Sequence, residues 1–213
     1  MPVMRRRIIF GSPEPELRAH FSEITNELDL SDQLSLLPGR ETPRNIGEYA
    51  LAPLVSKRIF LDSYQPTSYF TLPEGVECHY REDADMPLLD TSYGVGLVFR
   101  GVLQAVAAAH SVVGSRLRIV QLQAVNRDAA DPDKKYHTGL HGGFYWRDTL
   151  VQAWLNIGPQ VNADGLEILS AQRSKWLETA GLEQLKKSYD EVGKRMRFTY
   201  CNGPQVWRQN FEH

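Results

Sequence analysis

His137 and His141 stand four residues apart in the run Tyr136-His137-Thr138-Gly139-Leu140-His141-Gly142-Gly143. Imidazole is the commonest protein metal ligand, and on a helix this spacing would set both rings on one face, as in zinc proteases. Glycines at 139, 142 and 143 disfavour a helix here, and no glutamate base separates the two histidines. A second arrangement fits better. Non-haem iron sites hold Fe(II) with two His and one carboxylate on one face, leaving the other positions to co-substrate and O2. His213 follows His137 by 76 residues, at the end of a β-like run. His20 and His110 fall on expected helices and His79 adjoins Cys78. These three read as surface or satisfied core residues.

The elements that must position these histidines come next. Leu17, Phe21, Ile24 and Leu28 recur at helical spacing, so residues 14–36 are expected to be helical. Residues 37–57 read as irregular, with Pro38-Gly39, Pro43 and Gly47 as breakers. Residues 58–82 favour strands around Ile59-Phe60-Leu61 and Tyr69-Phe70-Thr71. Residues 94–113 read as the clearest helix, with Val95, Val98, Val102, Ala105 and Ala109 on one face and Gly114 as its cap. Beyond Gly114 the pattern turns β-rich. Strands are expected at 117–125, 150–157, 166–169, 196–200 and 206–211, with a polar loop at 128–135 and a helical or irregular stretch at 174–193. A helical first half before a β-rich second half points to helices packed on an antiparallel barrel or jelly roll.

Composition limits the functional classes. The chain has 213 residues, enough for one compact domain, and its formal net charge of -2 gives no general attraction to nucleic acid or an anionic membrane. Arg5-Arg6-Arg7 runs straight into a three-residue apolar stretch and then prolines, which is not a secretory signal. No segment approaches the length of a membrane span. Cys78 and Cys201 lie far apart and outside any Cys-x-x-Cys, so the expectation is a reduced cytoplasmic protein.

The run from Gln123 to Ser170, roughly a quarter of the chain, resembles the phytanoyl-CoA hydroxylase-like group of iron(II)/2-oxoglutarate oxygenases. The residues carrying the resemblance are Gln123-Ala124-Val125-Asn126, a polar loop, His137-Thr138-Gly139-Leu140-His141, then Leu150-Val151-Gln152-Ala153-Trp154 and Asn162 to Leu169. It implies an α+β fold with a double-stranded β-helix (jelly-roll, cupin-like) core and helices mainly from the N-terminal half. Residues 1–116 would form the helical and strand part of one domain, 1–213, and residues 117–213 the core carrying the metal. The resemblance makes His137 and His213 iron ligands and places Gln123 and Trp154 at the 2-oxoglutarate site. His141 and Thr138 would stand behind the ligands, and Arg147 and Trp146 near the substrate.

This chain departs from that group in two places. Gly139 occupies the position of the carboxylate ligand, and the similar radical halogenases carry Gly or Ala there. A glycine leaves space for chloride or bromide on the iron, where a carboxylate would fill the site and repel the halide. The resemblance also expects an arginine, and a further strand, beyond His213. It therefore implies Fe(II), 2-oxoglutarate, O2 and chloride acting together. A freestanding small molecule would be halogenated at an unactivated carbon in natural-product biosynthesis, with no nucleic-acid or membrane partner. Two alternatives stand beside it: a hydroxylase with an altered facial triad, and a jelly-roll binding protein without catalysis. Asp148, nine residues past Gly139, is a rival ligand on an expected loop.

Overall fold

The computed structural model describes residues 15–37, 46–56, 70–77, 91–112, 115–125, 140–141, 144–174 and 177–212. Helices α1 (Pro15–Glu27) and α2 (Leu30–Ser35) lead into strand β1 (Tyr49–Ser56) and the short β2 (Phe70–Thr71). A meander of β3 (Tyr93–Phe99), β4 (Val102–Val112) and β5 (Arg116–Ala124) follows. The two-residue strands β6 (Leu140–His141) and β7 (Phe144–Tyr145) form their own hairpin before α3 (Trp146–Gln160). Then come β8 (Gly165–Leu169), α4 (Leu177–Ala180), α5 (Leu182–Leu185), a π-helical turn (Lys186–Asp190), α6 (Glu191–Arg195), and the hairpin β9 (Thr199–Cys201) and β10 (Val206–Asn210).

Eight strands make one sheet in the order β2-β1-β3-β4-β5-β8-β10-β9. Its neighbours are antiparallel except β5 and β8, which run parallel and are joined through α3. That connection needs a crossover, and a helix supplies it. The protein is thus of mixed α and β class. The sheet runs across residue 116, so both expected parts of the chain share it. Among the described residues, no helix is long and apolar enough to cross a membrane.

Four expectations are overturned. The helices do not come mainly from the N-terminal half: α3 to α6 all lie beyond residue 145. Residues 94–113 are not a helix. Residues 94–112 form most of β3, all of β4 and the Arg100-Gly101 turn, both of whose residues take positive φ (49° and 78°), as a tight hairpin requires. Both faces of these strands are buried, with Val95, Leu97, Ala105, Ala107 and Ala109 in one cluster and Val98, Leu103, Val106 and Ala108 in another. Such strands read as continuous apolar runs, which imitate helical periodicity. Residues 150–157 are α3, not a strand. Their buried positions 150, 151, 153, 154 and 157 follow the helical repeat. Residues 37–57, read as irregular, contain β1.

Other expectations hold. Helices at 15–27 and 30–35, and strands at 116–124, 165–169 and 206–210, fall where the pattern put them. The strands expected near 59–61 lie outside the described residues. His110, expected on a helix, lies on β4.

The main core lies between the sheet and α1, α3 and the C-terminal helices. Trp154 on α3 is fully buried, stacks on Phe21 of α1 at 5.7 Å, and donates its indole N–H to the Ala107 carbonyl at 3.1 Å. The opposite face of the sheet carries a row of polar residues in register across five strands: His110, Arg118, Glu167, Arg208 and Thr199. Glu167, 1% exposed, takes two donors from Arg118 (2.9 and 2.7 Å) and two from Arg208 (2.9 and 2.6 Å). This clamp ties β5, β8 and β10 together with charge-assisted bonds.

Candidate functional site

The two parallel strands pair for only four residues, from Arg116↔Gly165 to Ile119↔Ile168. At that point β5 carries a bulge. Its register with β4 moves from Ala109↔Ile119 to Ala108↔Gln121, which makes Val120 the extra residue. A bulge bends its strand and raises the local twist. Past it, β5 continues along β4 to Ala124, while β8 ends at Leu169. The two strands stop pairing there, which leaves a gap in the sheet between their C-terminal ends.

The Tyr189 hydroxyl stands at the head of this gap. It donates to the Val120 carbonyl at 3.1 Å and accepts from the Leu122 N–H at 3.3 Å. The π-helical turn that carries it is a rare conformation, frequent at functional sites. Asp190 anchors that turn by accepting at one oxygen from the Ala171 N–H (3.2 Å) and the Trp207 indole N–H (2.9 Å). Beyond Tyr189 the edge of β5 goes on. The Val125 N–H bonds to Gln104 on the β4 side, so strand alternation turns the main-chain groups of Leu122 and Ala124 toward the gap.

Arg147 lies in the first turn of α3. Burial, and then the neighbouring Arg195 charge, push its guanidinium down to about 10, while Tyr189, Asp148 and Glu191 pull the other way. It lies over the Trp146 ring at 4.2 Å. Asp148 forms a bidentate pair with Arg195 at 2.9 and 2.6 Å. Burial works against the Arg195 charge, but the bond and charge of Asp148 outweigh it and raise the guanidinium above its ordinary value. The expected loop at Asp148 is therefore a helix start, and both carboxylate oxygens are engaged by an arginine.

The residues singled out in the sequence fall as follows. His137, Thr138, Gly139 and His213 lie outside the described residues. The backbone of His141 pairs with Phe144 in the β6–β7 hairpin. Trp146 and Arg147 begin α3. Gln123 is exposed at the end of β5, where its side chain accepts from Gln121 at 2.9 Å. Trp154 is sealed in the core. Leu122 faces that core, so its neighbour Gln123 points from the other face of the sheet. Gln123 thus lies on the sheet face opposite the core that holds Trp154. Among the described residues, no three His, Cys, Asp or Glu side chains gather where they could hold a metal ion.

Tyr189, Ser170 at the end of β8, and the Arg118–Glu167–Arg208 clamp are not foreseen from the sequence. The clamp had a signal, because Arg118, Glu167 and Arg208 interrupt otherwise apolar strands. Tyr189 had none, since neither a bulge nor a π-turn is written in periodicity. A separate open groove of about 250 Å³ lies between α2, α3 and β10, lined by Leu36, Leu155, Met196 and Arg197 among others. Gln123, Trp146, Arg147 and Trp154 are not among the residues that line it. Comparison with known proteins finds no matching family model, curated protein or solved structure.

Proposed function

We propose that the protein acts on an elongated small molecule bound in the gap between β5 and β8. The observation that carries this reading is the parting of the two parallel strands at the Val120 bulge, with the Tyr189 hydroxyl in the opening. In open sheets with parallel strands, ligands enter where neighbouring strands diverge at their carboxyl ends. A strand edge recognises extended chains bearing amides, because these repeat the spacing of a peptide. The ligand class favoured is therefore a small molecule with an amide-bearing arm, of the kind that carries acyl groups. Tyr189 fixes the edge of β5 at the opening, through the bonds of its hydroxyl to the Val120 carbonyl and the Leu122 N–H.

Isothermal titration of coenzyme A and its acetyl ester into the protein tests the reading. Saturable binding that weakens in Tyr189→Phe supports it, and no heat at any attainable concentration overturns it.

A second reading follows from His137-Thr138-Gly139: a 2-oxoglutarate-dependent halogenase using Fe(II), with a jelly-roll core and chloride in the place a carboxylate would take. Its support is the glycine at the carboxylate position. It asks that residues outside the described part converge on one iron. The resemblance gives 2-oxoglutarate to Gln123 and Trp154, which lie on opposite sheet faces, so this reading needs other residues to hold it. Anaerobic titration with Fe(II) and 2-oxoglutarate decides it. A weak visible charge-transfer band that responds to chloride supports it, and no band removes it. A hydroxylase would give the band without the chloride response.

A further inference from the structure

The groove between α2, α3 and β10 combines aliphatic side chains with cations. Leu36 lies just past α2, Leu155 on α3 and Met196 just past α6, and these line it together with Arg195, Arg197 and Gln209. Leu36 is 57% exposed, the most of any large apolar side chain among the described residues. No described carboxylate lines the groove. Asp148 pairs with Arg195 at 2.6 Å from outside it and offsets that charge. Arg197 makes no side-chain hydrogen bond or ion pair among the described residues, and neither does Gln209.

Arg197 also occupies a place that glycine would fill with less strain. It follows the Met196 cap of α6 and takes φ 61°. Its N–H donates to the Lys194 carbonyl at 3.1 Å, and the Phe198 N–H donates to the Gly193 carbonyl at 2.9 Å. These two bonds make the Schellman ending of a helix, whose left-handed residue is usually glycine because a Cβ is disfavoured there. A backbone outlier of this kind points to a use for the side chain it carries. Here that side chain is a guanidinium in a groove, beside an exposed leucine.

A guanidinium pairs with a carboxylate in a bidentate fork, and exposed aliphatic surface gains by covering an apolar tail. With Arg195 offset by Asp148, one positive charge remains for one negative charge. We propose that the groove binds a short aliphatic carboxylate, its head on Arg197 and its tail on Leu36, Leu155 and Met196. The volume of about 250 Å³ has room for about eight groups the size of a water molecule, at about 30 Å³ each. Hexanoate, with six carbons and two oxygens, matches that size. This site is separate from the gap between β5 and β8 and stands whether or not the gap binds coenzyme A.

Amide chemical-shift mapping of the full chain during titration with hexanoate tests this. Saturable changes are expected at Leu36, Met196 and Arg197. Hexanol has the tail without the charge, and acetate has the charge without the tail, so each should bind several-fold more weakly. Arg197→Gly should weaken hexanoate binding by about fivefold or more. The same variant should unfold in urea at the parent's midpoint or above it, because glycine suits the left-handed angle. Arg197→Lys should keep part of the binding, since it keeps the charge and loses the fork. Leu36→Ser should weaken binding and leave the midpoint unchanged, because Leu36 is exposed. The proposal falls if hexanoate gives no saturable change, if hexanol or acetate binds as tightly, or if Arg197→Gly binds as the parent does. It also falls if Arg197→Gly loses stability along with binding, which would assign the arginine to the helix ending alone. Hexanoate changes centred on Leu122 and Ala124 would place it in the gap and overturn the groove.

Discussion

The Tyr189 hydroxyl donates to the Val120 carbonyl at 3.1 Å, at the residue where β5 bulges and stops pairing with β8. One side chain from the far end of the chain thus completes a strand edge that the sheet leaves open. Replacing it tests how much the edge depends on it. Tyr189→Phe keeps the ring but leaves the Val120 carbonyl and the Leu122 N–H without this partner. Unpaired buried groups of this kind cost about 1–3 kcal/mol. Equilibrium denaturation in urea should show a loss in that range with an unchanged slope. An unchanged midpoint would mean that water replaces the hydroxyl freely.

The clamp on the opposite face makes a larger demand. Glu167 is almost fully buried between Arg118 and Arg208, whose side chains are 22% and 31% exposed. Glu167→Gln removes the charge and leaves two part-buried guanidinium groups facing a neutral amide. Breaking a buried ion pair on one side costs about 3–5 kcal/mol, and the partial exposure of both arginines favours the lower end. Thermal unfolding should shift down by several degrees, whereas a shift near zero would mean that the arginines find other partners.

His110 lies in the same row, and its charge should make stability depend on pH. Burial first, and then the Arg118 charge, lower its pKa in the folded protein, with Glu167 opposing. The unfolded chain therefore binds the proton more readily, so folding stability rises with pH through this range. The contribution is complete above the unfolded value of about 6.5 and is lost as pH falls toward the lowered folded value. Denaturation of the parent and of His110→Asn, compared above and below that range, should show a smaller pH slope in the variant. Equal slopes would assign the dependence to other groups.

Close packing at the ends of the parallel pair gives a further prediction. A Cβ on Gly165 would meet the Gln209 carbonyl oxygen at 2.5 Å and the Asn210 Cα at 3.1 Å, both backbone atoms of β10. The contact cannot be relieved by turning a side chain, so Gly165→Ala must push β8 from β10. Overpacking of this kind costs about 1–3 kcal/mol, which calorimetry would detect. At Gly47, where nothing lies within 4 Å, the same change should be nearly silent.

What the sequence disclosed follows from how each element buries its side chains. Phe21 and Ile24 face the core from a helix with a solvated side, so α1 was legible from its period. Likewise Leu166 and Ile168 alternate with the charged Glu167 and mark β8 as a strand. Strands β3 and β4 are apolar on both faces, which erases the alternation, and α3 is buried along so much of its surface that its Leu150 to Ile157 stretch passes for a strand. Register shifts by one residue at Val120 leave no compositional trace, so the gap was not legible at all. Trp154 illustrates the consequence. Its burial and the bond from its indole N–H to the Ala107 carbonyl are not written in the motif that contains it.

The most direct measurement of the central claim is amide chemical-shift mapping on the labelled protein during titration with coenzyme A. The account predicts that the largest changes fall on Leu122 and Ala124 of β5 and on Ser170, with Tyr189→Phe altering the Leu122 response. Changes centred instead on the groove at Leu36 and Met196, or spread without a maximum at β5, would contradict it.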